Sequence, residues 1–92
     1  MRFGFMEDFR NPIKWRQPFP AFYQAILDQV KQCEKMGFDN VWLTEHHFTD
    51  DGYNPSLMTT AAAVATCTQK IRLGTFIVIL PYQHPVLMAE EV

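Results

Sequence analysis

Between Phe19 and Met36 the apolar residues Phe19, Phe22, Ile26, Val30, Cys33 and Met36 recur every three or four positions. Gln24, Asp28, Lys31 and Lys35 fall on the opposite side, so the segment is predicted to be an amphipathic helix. Gly37 stands where that helix needs a left-handed residue to stop, and Phe38 can pack back on Cys33. Upstream, residues 2 to 6 alternate weakly around Phe3 and Phe5 and read as a short strand, followed by a polar, aromatic loop. Downstream, Asp39 and Asn40 turn the chain into Val41, Trp42 and Leu43, a strand without alternation of polarity, which predicts cover on both of its faces.

Asn54 before Pro55 predicts a second helix start, because the residue preceding proline avoids helical angles and proline suits the first helical position. Thr59, Thr60, Ala61, Ala62, Ala63, Ala65 and Thr66 give this helix small side chains that permit close approach to neighbouring backbone. Ile71 to Leu80 is almost wholly apolar and rich in branched residues, the pattern of a strand buried on both faces, with Arg72 at its entrance still able to reach water. Pro81 ends it, and "HPVLMAEEV" opens a third helix with Pro85 first and Glu90 and Glu91 near its start.

Strand, helix, strand, helix, strand, helix is the grammar of parallel α/β folds. The strand starts near residues 2, 41 and 71 imply that eight such units would need about 250 residues, a usual barrel size. A doubly wound sheet is the rival, and the period alone leaves both open. "FGFMEDF" offers only Gly4 after the first strand and cannot cradle a pyrophosphate, which favours the barrel. The expected fold is therefore α/β, the N-terminal three βα units of a TIM (β/α)8 barrel. Residues 1–92 would be a single partial domain, truncated inside its third helix.

With 48% hydrophobic and 14% aromatic residues in 92, the chain has the composition of a globular interior. A net charge of -2 gives no electrostatic reason to expect nucleic acid or a membrane surface as partner. Arg10, Lys14 and Arg16, interleaved with Phe9 and Trp15, could touch a phosphate, but a solvated loop is favoured. Cys33 and Cys67 lack CxxC spacing and read as buried free thiols. "MRFGFM" is too short for a signal peptide and no stretch reaches the ~20 residues of a membrane span, so the expected location is cytoplasmic.

The candidate chemistry lies in "VWLTEHHF", where Glu45, His46 and His47 follow the second strand directly. In a parallel barrel, catalytic groups come from the carboxyl ends of strands. Alternation sends Glu45 and His47 to one side and His46 to the other, so the imidazoles need not share a role. Imidazole titrates near neutrality and can pass a proton, while a carboxylate beside it can fix its tautomer. Catalysis and a structural pair both remain open on spacing alone. A metal site is disfavoured, since adjacent histidines at a strand end point apart.

"GFDNVWLTEHHF", "NPSLMTTAAAVATCTQKIRLGTFIVILP" and "HPVLMAEEV" together resemble the N-terminal third of the luciferase-like flavin-dependent monooxygenases, the bacterial luciferase family. The resemblance runs from Gly37 onward through three blocks in the right order at the right distances. It implies a barrel that binds reduced FMN, or in some members a deazaflavin, and uses dioxygen to oxygenate an organic substrate such as a long-chain aldehyde. It implies proton transfer by His46, with His47 and Glu45 orienting or buffering that site. It also implies a non-proline cis peptide beneath the flavin ring near Phe76 and Ile77, although the residues themselves equally allow a plain strand there. The groups that grip the flavin phosphate would come from later strands. Phe9 and Trp15 could wall a substrate pocket or, the reading favoured here, cap the barrel rim. A homo- or heterodimer through the early helices is implied, with Ala61, Ala62 and Ala65 as a close-approach face or as packing on their own sheet. The family also contains a non-catalytic barrel subunit, the alternative identity for this chain alongside an incomplete piece inactive on its own.

Overall fold

The computed structural model describes residues 1–91. Its strands are β1 (Gly4–Glu7), β2 (Asn40–Leu43) and β3 (Arg72–Thr75), and its helices are α1 (Phe19–Lys35), α2 (Leu57–Cys67) and α3 (Pro85–Glu91). The strands form one parallel sheet in chain order, with Gly4, Asn40 and Arg72 level at one end and Glu7, Leu43 and Thr75 level at the other. Two parallel neighbours joined through a helix, twice over, is the βαβ arrangement the periodicity predicts.

Helix α1 buries Ile26 and Val30 from its predicted apolar stripe, while Phe19 and Met36 at its ends stay exposed. Its C-terminus closes as a Schellman motif. Gly37 takes a φ of 91°, its N–H donates to Glu34 O, and the Phe38 N–H donates to Cys33 O. The core lies between this helix, α2 and one face of the sheet, and contains Phe9, Ile26, Val30, Val41, Leu43, Leu57, Val64 and Ile71.

Several sequence expectations are corrected. The first strand covers Gly4–Glu7 rather than residues 2 to 6. Strand β2 is not covered on both faces: Val41 and Leu43 are buried, whereas Trp42 is 44% exposed beside the exposed Met6 on β1. The third strand stops at Thr75 instead of Leu80. Its last ladder bond runs from the Phe76 N–H to Leu43 O, after which the chain bends into a 3₁₀ turn at Leu80–Tyr82. An apolar run of that length carries no periodicity to separate strand from a turn that follows it. The second helix begins at Leu57 with Ser56 as its N-cap, so Asn54 is not the cap.

Candidate active site at the strand ends

Because the strands are parallel, β1 releases Asp8, β2 releases Thr44–His47 and β3 releases Phe76–Ile79 at one common rim. Thr44 ties the first two together, since its N–H and its hydroxyl both donate to Glu7 O, at 3.2 and 3.1 Å. The fully buried Asn54 fixes the same corner from the α2 side. Its Nδ2 donates to Thr44 O at 2.8 Å, its Oδ1 accepts from the Thr60 hydroxyl at 2.8 Å, and its carbonyl accepts the His46 N–H at 3.2 Å.

Past Leu43 the side chains separate into two groups. The Glu45 carboxylate is buried completely, with Oε1 at 2.6 Å from His47 Nε2 and Oε2 accepting the Ile79 N–H at 3.0 Å. The Tyr82 ring stands edge-on to the His47 imidazole, centroids 4.9 Å apart. Glu45 thus clasps the segment after β3 while holding a ring, and neither of its oxygens is left without a partner. His46 points elsewhere. Its Nε2 lies 3.3 Å from Asp8 Oδ1 at the end of β1, and its ring is half-exposed. Alternation separates the three residues as the sequence implies, and Glu45 serves His47 rather than His46.

The Phe76–Ile77 peptide bond is cis, and both side chains are exposed on the open side of the rim. Met6, Trp42 and Phe76 line an apolar cavity of about 290 Å³ there. Trp42 lies across Gly74, where a Cβ would come within 2.4 Å of the indole ring. A separate cavity of about 540 Å³ lies between the 3₁₀ turn and α3, lined by Leu80, Pro81, Pro85 and Met88, away from the imidazoles. Among the described residues no group of three or more His, Cys, Asp or Glu side chains is placed to hold a metal ion.

Other residues singled out by the sequence sit outside this site. Phe9 is buried in the core against Tyr23, so it neither walls a pocket nor caps the rim, while Trp15 lies exposed under the Lys14 ammonium. Arg10 is paired with Asp51 at 2.6 Å, and Arg16 donates to Asp50 O, so these two cations pin the loop after β1 to the loop after β2. The Arg10 guanidinium holds the Asp51 carboxyl below its ordinary value. Cys33 and Cys67 are free and half-buried, and burial pushes the Cys33 thiol up. Ala61 packs toward its own core, leaving Ala62 and Ala65 exposed. Asp8, Asn54 and Tyr82 were missed by sequence reasoning. The end of β1 has the parity to put Asp8 beside His46, but only the register of β1 on β2 reveals it.

A family model described as luciferase-like monooxygenase matches residues 1–92. Over 89 residues the chain is 46% identical to an alkanal monooxygenase alpha chain of Photorhabdus luminescens, a match covering 91% of this chain and 24% of that protein. It is 40% identical over 65 residues to limonene 1,2-monooxygenase of Rhodococcus erythropolis, covering 71% of this chain and 17% of that protein. Among solved structures, a monooxygenase from Streptomyces bottropensis matches with a TM-score of 0.87 at 27% identity, over 99% of this chain and 28% of that one. The oxygenating constituent of 3,6-diketocamphane monooxygenase from Pseudomonas putida, in complex with FMN, matches with a TM-score of 0.87 at 22% identity, over 100% of this chain and 25% of that chain, a likeness of fold. The chain spans about a quarter of the length of the alkanal monooxygenase relative.

Proposed function

Since the chain belongs to the luciferase-like monooxygenase family, as the first three βα units of a (β/α)8 barrel, we propose that it forms the flavin-facing arc of a flavin-dependent monooxygenase. The cofactor in this reading is reduced FMN, with a deazaflavin as the alternative, and the substrate is a small or long-chain organic molecule such as an aldehyde. One oxygen atom of dioxygen enters that substrate, the other leaves as water, and the flavin ends oxidised. Reduced flavin supplies the electrons for this chemistry when bound.

The residues at the rim fit the ring of such a cofactor. A planar apolar system gains from the surface that Met6, Trp42 and Phe76 line, and Phe76 and Ile77 carry the backbone against which it would rest. Those same groups exclude water from the reacting atoms. His46, half-exposed at this rim, is the group that passes a proton, since an imidazole offers one donor and one acceptor nitrogen. Glu45 and His47 hold the segment carrying Phe76–Ile79 in place, through the bond from the Ile79 N–H to Glu45. The observation that carries the reading is this convergence of His46 and the apolar cavity lined by Met6, Trp42 and Phe76 at the carboxyl ends of parallel strands.

Residues 1–92 are read as one partial domain of a cytoplasmic enzyme; no helix among the described residues is long and apolar enough to cross a membrane. Dimerisation through the early helices would use the exposed Ala62 and Ala65, and sedimentation of Ala65→Glu tests that contact. The activity itself is tested in the intact protein by His46→Ala. Turnover with reduced FMN, dioxygen and a long-chain aldehyde should fall about 10²-fold or more while flavin binding persists. Unchanged turnover would remove His46 from the proposed role.

A further inference from the structure

Asp8 has no place in the function argued so far, yet it makes the only side-chain hydrogen bond to the His46 ring among the described residues, Oδ1 to Nε2 at 3.3 Å. The chain geometry on both sides leads to this meeting. In the sheet Glu7 is level with Leu43, so the next residue of β1 and the residues after β2 continue in parallel toward the same rim. At Phe9 the backbone turns through a φ of 52°, sending that ring into the core and ending the strand directly after Asp8. Glu7, the neighbouring carboxylate, is committed inward: it is buried and Oε1 accepts the Phe9 N–H at 3.3 Å. Arg10, the nearest cation in sequence, is held by Asp51, which leaves the Asp8 carboxylate to the imidazole.

His46 is also fixed from behind. Its N–H donates to Asn54 O, and a Cβ on Gly52 would come within 3.6 Å of the ring carbon Cδ2, so the ring rests against a loop that has no side chain at that point. The backbone anchor and the Asp8 contact together give the half-exposed ring its orientation. A carboxylate can only accept, so in the neutral imidazole the Nε2 atom carries the proton and Nδ1 keeps its lone pair. Nδ1 then becomes the atom at which a proton is taken up or released.

We propose that Asp8 is the positioning residue of His46, orienting its imidazole and fixing the tautomer that leaves Nδ1 free to accept a proton at the rim. This rests on the reading of His46 as the proton-transfer group. It assigns to Asp8 the work that the sequence alone would give to Glu45, whose carboxylate is bonded to His47 and Ile79 instead.

The test compares Asp8→Ala with Asp8→Glu in the intact protein, the latter retaining a carboxylate, which can only accept. Two readouts are taken: the ring-nitrogen signals of His46 in long-range proton–nitrogen spectra above neutral pH, and the steady-state oxidation of a long-chain aldehyde with reduced FMN and dioxygen. Asp8→Ala should let the two tautomers exchange, drawing the Nδ1 and Nε2 signals together. It should lower kcat between about 10- and 100-fold with the KM for aldehyde unchanged, as loss of orientation does. Asp8→Glu should keep the signals apart and restore most of kcat. Unchanged ring-nitrogen signals in Asp8→Ala overturn the proposal, as does an equal loss of kcat in both variants. If wild-type protein oxidises no aldehyde, or His46→Ala oxidises it at the full rate, the proton-transfer reading fails. The ring-nitrogen spectra still decide whether Asp8 holds the imidazole.

Discussion

Glu45 places both carboxylate oxygens on partners from different segments, His47 beside it and the Ile79 N–H 34 positions along the chain. Replacing it with Ala leaves a part-buried amide donor and an imidazole without their acceptor, which should cost about 1–3 kcal/mol and lower the urea midpoint accordingly. Glu34 works at the opposite end of the sheet, where Oε1 accepts the N–H groups of Gln69, Lys70 and Ile71 at 2.9, 2.6 and 2.8 Å. These bonds, led by that from Ile71, hold its carboxyl below the ordinary 4.5. The folded value being the lower one, the stabilisation is complete above 4.5 and fades as pH falls through the folded value. Unfolding midpoints of Glu34→Gln measured from pH 7 downward should therefore decline less steeply in acid than wild type. Glu7 acts in the opposite sense: burial raises its carboxyl above the ordinary 4.5, so acidification relieves its cost in the folded state. At this scale the sequence names Glu45, His46 and His47 and separates them by parity. It does not pair them, because Asp8, Asn54 and Ile79 arrive from other elements.

The elements whose ends carry local signals are the ones the sequence bounds best. Helix α1 stops within a residue of its expected end because the Gly37 N–H and Phe38 N–H close the last turn. A Cβ at Gly37 would meet no atom within 4 Å, so Gly37→Ala isolates the left-handed φ of 91°. It should destabilise the protein by about 1–2 kcal/mol, read as a shift in thermal midpoint with the secondary structure unchanged. Strand β3 is the contrary case. Its predicted span contained Phe76–Leu80 because branched apolar residues look alike in a buried strand and at an open rim. Past its last ladder bond, from the Phe76 N–H to Leu43 O, the backbone finds other partners, the Ile79 N–H donating to the Glu45 carboxylate. Asn54 misleads for a related reason, its amide being committed to Thr44 and Thr60 and thereby lost to helix capping.

Across the described residues, one face of the sheet is sealed by helices while the other presents Met6, Trp42, Phe76 and Ile77 to solvent, between 44% and 66% exposed. That asymmetry was not legible in the unalternating "VWL", since a barrel lumen and a helix-covered face demand the same apolar residues. Parallel order and consecutive neighbours were legible from period and spacing, and they are what bring the strand ends to one rim. The most direct measurement is a titration of the intact, isotope-labelled protein with FMN, followed through backbone amide shifts. Perturbations should concentrate at Thr44–His47 and Phe76–Ile79, with Gly4, Asn40 and Arg72 at the other end of the sheet unmoved. Perturbations gathered around Gly4, Asn40 and Arg72, or saturating flavin with the His46 and Ile77 amides unshifted, would contradict the proposed placement of the flavin.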